Sequence, residues 1–274
     1  MQDVLDSFRS QGFATVPSVL SADEIREIFV QIEEVLDHAL QNQGVDIEQF
    51  EGPDDKYLYL KEHHPIIKSH CYDLLGRLDS VRSAVTSKKI IDIGRQVFGT
   101  ALLIGPVQVR IDDPGNDRLL PLHQEMEQIS LFTFTVWIPL VDLADDSGGL
   151  RLLPGSHRQG IFEHQKTDGY PNYWALPRKV IDESKIEEVR MRRGDGLVFH
   201  PFLFHGSNLN NSSKTRWTLI ARWSELTHVP YLRHEDAPLV MARHPDPKEP
   251  GNDFVKQYQR RSKPLATKRE EYGD

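Results

Sequence analysis

Apolar residues recur at helical spacing through the first third of the chain. In "SADEIREIFVQIEEVLDHALQ", Ile25, Ile28, Phe29, Ile32, Val35 and Leu36 fall on one face of a 3.6-residue repeat. Ser21 followed three residues later by Glu24 has the form of a capping box, which predicts a helix starting there and packing one face on something large. The segment 44–70 is mixed and acidic, with "EGPDD" as a loop, and "LDSVRSAVTSKKIIDIGRQVFG" gives a further helical pattern ending at Gly99. From "ALLIGPVQVRI" onward the pattern changes to short strand-like runs. These are punctuated by "DDPGND", "LADDSGG", "LPGSHRQG", "MRRGDG" and "NLNNSSK", which are rich in turn residues. A mainly β protein is predicted, a sandwich or barrel with helices packed outside it. Beyond about residue 225 the chain is polar and irregular, and "HPDPKEPGND" and "KREEYGD" have the character of a surface extension. The expected organisation is one domain over 1–274: a helical part to about 100, a β core over about 101–224, and the extension from 225 to 274.

Composition narrows the function classes. The chain has 274 residues, 38% apolar and 27% charged, enough for one substantial core. A formal charge of −8 implies no broad basic surface for nucleic acid or anionic lipid. No apolar run approaches the roughly 18 residues of a membrane span, and the polar start "MQDVLDSFRSQ" is unlike a secretory signal. A single cysteine, Cys71, allows no internal disulfide and suits a reducing cytoplasm. Internal repeats and low-complexity blocks are absent from the sequence.

Candidate chemistry sits at the start of the β region. "PLHQEMEQIS" places His123 and Glu125 two residues apart, hence on one face of any strand. That spacing alone is equally compatible with a polar sheet edge. Glu127, two residues further on the same face, is a rival carboxylate. A third donor is His205, at the end of an apolar run in "RRGDGLVFHPFLFHGSNLNNSSKTRWTLIARW", where His200 competes but precedes a second apolar stretch. Two histidines and one carboxylate form a facial triad that leaves three cis positions open on iron(II). Arg216, eleven residues after His205, is placed to return along the adjacent strand and offer its guanidinium fork to a carboxylate. An arginine in such apolar surroundings requires an anionic partner. Gln108 and Arg110 share one strand face ahead of the metal pair and are cosubstrate or pocket candidates. Trp137 and Phe134 read as core. In "LRLLPGSH", Pro154 and Gly155 predict a tight turn, with Ser156 and His157 bonding the local backbone.

Several of these stretches together resemble the phytanoyl-CoA dioxygenase (PhyH) superfamily of iron(II)- and 2-oxoglutarate-dependent oxygenases, which includes ectoine hydroxylase. They are "FRSQGFATVPSVLSADEI", "LHQE", "FTVWIPLVDLADDSGGLRLLPGSHRQG", "RRGDGLVF" and "HGSNLNNSSKTRWTL", spanning roughly residues 5–223. The resemblance implies a double-stranded β-helix, a cupin-like jelly roll. It implies iron(II) bound by His123, Glu125 and His205, and 2-oxoglutarate as cosubstrate with dioxygen. The far carboxylate of 2-oxoglutarate is then held by Arg216, with Ser207 assisting. The family usually has aspartate where this chain has Glu125, and its halogenating relatives carry a small apolar residue there, so Glu125 argues for hydroxylation. The extra methylene moves the carboxylate about 1.5 Å further from the backbone.

The expected reaction is therefore hydroxylation of an unactivated C–H bond in a small-molecule metabolite. Two other classes use the same scaffold: a metal-dependent jelly-roll enzyme that does not consume 2-oxoglutarate, and a non-catalytic ligand-binding jelly roll. Arg216 and the "HGSN" context speak against the first, and a complete triad against the second. The long segment "IFEHQKTDGYPNYWALPRKVIDESK" is expected to form a lid or pocket wall, with Tyr170, Tyr173, Trp174, Arg178 and Lys179 either contacting an anionic or polar substrate or equally covering the barrel.

Overall fold

The computed structural model describes residues 2–98, 102–115, 119–125, 133–167, 170–225 and 239–240. Six helices lie in the first third: α1 (Gln2–Gln11), α2 (Ala22–Asn42), α3 (Pro53–His63), α4 (Pro65–Leu75), α5 (Asp79–Val85) and α6 (Lys88–Phe98). Helix α2 starts where its cap predicts. The Glu24 N–H donates to Ser21 Oγ at 3.2 Å, and the Glu24 carboxylate accepts the Ser21 N–H at 2.7 Å. Its buried face is Ile25, Ile28, Ile32, Leu36 and Leu40.

Two helical expectations need correction. "EGPDD" is not a loop throughout, because Pro53 sits in the first turn of α3, where its fixed φ and missing N–H cost nothing. Pro65 opens α4 in the same way and breaks the chain at His64. The pattern expected to run on to Gly99 is two helices, interrupted at Thr86, whose hydroxyl bonds back to Arg82 O at 3.0 Å.

The strands are β1 (Phe13–Val16), β2 (Leu102–Asp112), β3 (Leu120–His123), β4 (Thr133–Pro139), β5 (Leu150–Leu153) and β6 (Gln165–Thr167). They continue with β7 (Tyr170–Ala175), β8 (Glu187–Glu188), β9 (Gly196–Phe199), β10 (Phe204–Ser207), β11 (Arg216–Glu225) and β12 (Leu239–Val240). A six-stranded sheet runs β1-β9-β4-β11-β2-β12, and a four-stranded sheet runs β3-β10-β5-β8. All the pairings are antiparallel. This is the expected jelly-roll class with flanking helices. Of the extension expected beyond 225, Leu239–Val240 adds a short edge to β2. The remainder, residues 226–238 and 241–274, lies outside the described residues.

Alternation along β11 assigns its two faces. Trp217, Leu219, Ala221 and Trp223 join the helical residues Ile28, Ile32 and Leu36 in one core. Ile220 points the other way, into a second core with Trp137, Leu150, Leu152, Leu197 and Phe199 between the sheets. Arg216, Thr218 and Arg222 share that inner face by the same period of two. Phe134 and Trp137 are core residues, as expected, but on opposite sides of the large sheet.

Candidate functional site

Strands β3 and β10 put His123 and His205 directly opposite each other in the small sheet, with ring centroids 4.2 Å apart. The approach of these strands depends on Gly206. A Cβ there would meet Leu120 O at 2.5 Å and Pro121 O at 3.0 Å, so the "HGS" glycine lets β10 lie against β3. Each imidazole is tied in the same manner. Nδ1 of His123 bonds Pro121 O at 2.9 Å, and Nδ1 of His205 bonds Leu203 O at 2.9 Å. A carbonyl can only accept, so both protons sit on Nδ1 and both Nε2 atoms keep their lone pairs for a metal. Burial, reinforced by neighbouring His205, pushes His123 down to about 3, which keeps that imidazole neutral.

Glu125 follows β3 and is anchored by its own N–H, which donates to Pro201 O at 2.9 Å. Its Oε1 lies 3.6 Å from His205 Nε2. Cis ligands about 2.1 Å from one metal are about 3 Å apart, so a small turn of the glutamate closes the gap. Among the described residues no group of three His, Cys, Asp or Glu side chains stands in a metal-holding arrangement as it is. Glu125 is paired with Arg222, whose Nε donates to Glu125 Oε2 at 3.0 Å and whose Nη2 donates to Oε1 at 3.1 Å. Burial opposes ionisation of Glu125, but the Arg222 charge, neighbouring His205 and the Arg222 hydrogen bonds together outweigh it and hold the carboxyl well below its usual range. The donor set is thus two imidazoles and one ionised carboxylate, which fits iron(II). Between the histidine and the glutamate, Gln124 points away from the site and fixes the loop. It donates to Gly160 O and Phe202 O and accepts from the Phe162 N–H.

At the start of β11, Arg216 is 3% exposed and already has an anionic partner. Its Nη2 and Nε donate to Asp112 Oδ2 at 2.8 and 3.3 Å, and Nη1 donates to Ser147 O at 3.1 Å. One N–H on each Nη remains without an acceptor among the described residues, an arrangement that suits an incoming carboxylate. Arg110, opposite Thr218, is also occupied by Asp112, with Nη2 to Oδ1 at 2.9 Å. Burial would raise the Asp112 carboxyl, yet the two arginines hold it below its ordinary value. The buried hydroxyls of Thr218 and Thr135, both on the inner face, have no partner among the described residues. Ser207 is buried at the end of β10, paired with Leu120 of β3. Gln108 is exposed, and its Oε1 is 3.5 Å from Arg222 Nη1.

The other candidates fall elsewhere. Glu127 lies outside the described residues, as do the side chains of Tyr170, Tyr173 and Trp174. Arg178 and Lys179 are exposed, in a short 3-10 turn. Leu176, Phe162, Val180 and Ile181 of the same segment pack on Leu122, Leu153 and Phe204. That cluster covers the outer face of the small sheet, so this part of the segment covers the barrel, the alternative reading of it. His200 is structural, buried against His157, Phe8 and Phe202. Ser156 and His157 bond distant backbone instead of local: Ser156 Oγ accepts the Phe204 N–H at 2.8 Å, and His157 Nε2 bonds Arg9 O at 3.2 Å. Two charged residues of the site, Arg222 and Asp112, were not singled out in the sequence. Even spacing marks both, since Arg222 is six residues from Arg216 and Asp112 two from Arg110 on the same strand faces.

Comparison with known proteins gives the following. The family model described as Phytanoyl-CoA dioxygenase (PhyH) matches residues 8–218. A Stutzerimonas stutzeri protein described as "Probable alpha-ketoglutarate-dependent hypophosphite dioxygenase" is 22% identical over 236 residues, 82% of this chain and 79% of its own. The non-heme monooxygenase ThoJ superposes with a TM-score of 0.66 at 17% identity, over 94% of both chains. The epimerase SnoN, solved in complex with Fe3+, alpha ketoglutarate and nogalamycin RO, gives 0.59 at 17% identity, over 89% of this chain and 93% of that one. At such identities the structural likeness establishes the fold.

Proposed function

The chain belongs to the phytanoyl-CoA dioxygenase family of iron(II)- and 2-oxoglutarate-dependent oxygenases, and we propose that it hydroxylates an unactivated C–H bond of a small-molecule metabolite. In this reading His123, Glu125 and His205 hold the iron, Arg216 holds the far carboxylate of 2-oxoglutarate, and Ser207 and Gln108 line its path. The observation that carries it is the pair of opposed histidines with Nδ1 tied to backbone carbonyls, with His205 Nε2 3.6 Å from Glu125 Oε1. When bound, iron and 2-oxoglutarate together supply the oxidising chemistry, in which dioxygen is reduced, 2-oxoglutarate becomes succinate and carbon dioxide, and one oxygen atom reaches the substrate.

The chain's own residues orient and enclose that chemistry. The tied imidazoles present two nitrogen donors at fixed angles, and the ionised glutamate offsets part of the metal charge. Arg216 offers its two remaining N–H groups as a fork, with Asp112 and Ser147 O fixing its plane. Trp137, Leu152, Leu197, Phe199 and Ile220 keep the adjoining space apolar and exclude water from it. We take 1–274 to be one oxygenase unit, with the helices as the outer wall of the large sheet. No described helix is long and apolar enough to cross a membrane. The single buried thiol, Cys71, supports a cytoplasmic setting.

The test is succinate formation from 2-oxoglutarate by the purified chain with iron(II) and dioxygen, across a panel of polar metabolites, amino acids, phosphonates, inorganic oxyanions and lipids. Oxyanions belong on the panel because the Stutzerimonas relative is described by hypophosphite. Turnover stimulated by one member and abolished in Glu125→Ala is expected. Turnover undiminished in that variant contradicts the ligand assignment.

A further inference from the structure

Arg222 has no role in the proposed chemistry, yet it holds one of the proposed metal ligands by a two-point contact. Its side chain leaves the inner face of β11 and crosses to the segment after β3. There it grips both oxygens of Glu125, at 3.0 and 3.1 Å, with the two side chains only 13% and 10% exposed. A parallel two-point pair of this kind fixes the plane of a carboxylate as well as its position.

The two oxygens are not equivalent. Oε1 also faces His205 Nε2 at 3.6 Å, so it stands at the corner shared with the histidines. Oε2 is the oxygen engaged by Nε. A glutamate has one more rotatable bond than an aspartate, and a glutamate left loose must lose that freedom each time a metal binds. The guanidinium removes it beforehand. The extra methylene, about 1.5 Å, is also part of what lets the carboxylate reach Arg222.

We propose that Arg222 is a positioning residue that makes Glu125 a one-oxygen metal ligand, giving Oε1 to the metal while keeping Oε2 on the guanidinium. Glu125 and Arg222 then form a matched pair that replaces the aspartate usual in the family. The proposal rests on the reading of His123, Glu125 and His205 as metal ligands.

Titration of the full chain with cobalt(II) alone, followed by calorimetry and by the visible absorption of the bound metal, tests it without turnover. Arg222→Gln is expected to weaken cobalt binding about 10–100-fold, and Arg222→Lys, which keeps the charge but not the fork, to fall between. In a Glu125→Asp background, where the carboxylate is drawn back, Arg222→Gln is expected to cause little further loss. Equal or tighter binding by Arg222→Gln overturns the proposal, because the arginine is then a structural ion pair or withholds Glu125 from the metal. Should Arg222→Gln not fold, Arg222→Lys decides: weaker binding supports the proposal and unchanged binding overturns it. If Glu125→Ala and His205→Ala bind cobalt as the native chain does, it is the ligand assignment that has failed, whatever Arg222 does.

Discussion

Gly206 shows how much of the site hangs on a single missing methyl group. The two histidines meet only because β10 lies against the Leu120–Pro121 backbone, and an added Cβ would sit 2.5 Å from Leu120 O. Gly206→Ala should therefore cost about 1–3 kcal/mol of stability and weaken metal binding as well. Normal cobalt affinity in a destabilised Gly206→Ala would show that the strand spacing does not set the histidine geometry. Arg216 makes a different prediction. Removing its side chain leaves the histidines and Glu125 untouched, so Arg216→Ala should raise the 2-oxoglutarate concentration needed for half-maximal turnover while iron stays bound. An unchanged requirement would place the anchor elsewhere. Arg216 was recognisable from the chain through its eleven-residue interval from His205, whereas the role of Gly206 within "HGS" is visible only once β10 lies against β3. Arg222 was harder to see, because its importance lies in a contact with a residue 97 positions away.

Among the elements, α2 offers the cleanest separation of folding from chemistry. It packs on the outer face of the large sheet, where Phe29 meets Trp217 edge-on at 5.8 Å, away from the histidines between the sheets. Ser21→Ala removes its capping box and should cost about 1 kcal/mol, lowering the melting temperature by about 2–4 °C with metal affinity unchanged. A loss of metal affinity would tie the helical layer to the site. This helix was legible because cap and apolar period agree in one stretch, and the β core was legible from its turns. Pro53 and Pro65 fit a first helical turn locally, and the segment after Pro53 is also held on α2, where Lys56 pairs with Glu33 and Asp37 at 2.7 and 2.6 Å. Two features depended on tertiary context instead. Strand β1 is four residues long and pairs with β9, 183 residues later in the Phe13–Gly196 interval. Ser156 and His157 reach backbone far away in sequence, where local turn chemistry predicted near partners.

At the scale of the whole molecule, the pair His157 and His200 couples the N-terminal helix to the barrel and gives stability a pH dependence. Burial, partly offset by the bond to Arg9 O, pushes His157 down to about 4, and burial with neighbouring His157 pushes His200 well below its ordinary value. Both imidazoles are neutral when folded, whereas the unfolded chain protonates them near pH 6.5. Between those limits the unfolded state binds more protons, so stability is complete above about pH 6.5 and is lost as pH falls toward 4. For His157 the loss is of the order of 3 kcal/mol. Melting of the metal-free chain between pH 8 and 5 should drop more steeply than in His157→Gln, and parallel curves would contradict this. The pair is joined to the candidate iron site through Pro201, next to His200, whose carbonyl accepts the Glu125 N–H at 2.9 Å.

The central claim, that His123, Glu125 and His205 present iron to 2-oxoglutarate anchored by Arg216, is tested most directly by titrating 2-oxoglutarate into the iron(II)-loaded chain without oxygen. A chelate at that site gives a visible charge-transfer band that saturates. The native chain should show the band, His205→Ala should lack it, and Arg216→Ala should need more 2-oxoglutarate to reach it. No band in the native chain, or a band indifferent to His205, would contradict the account.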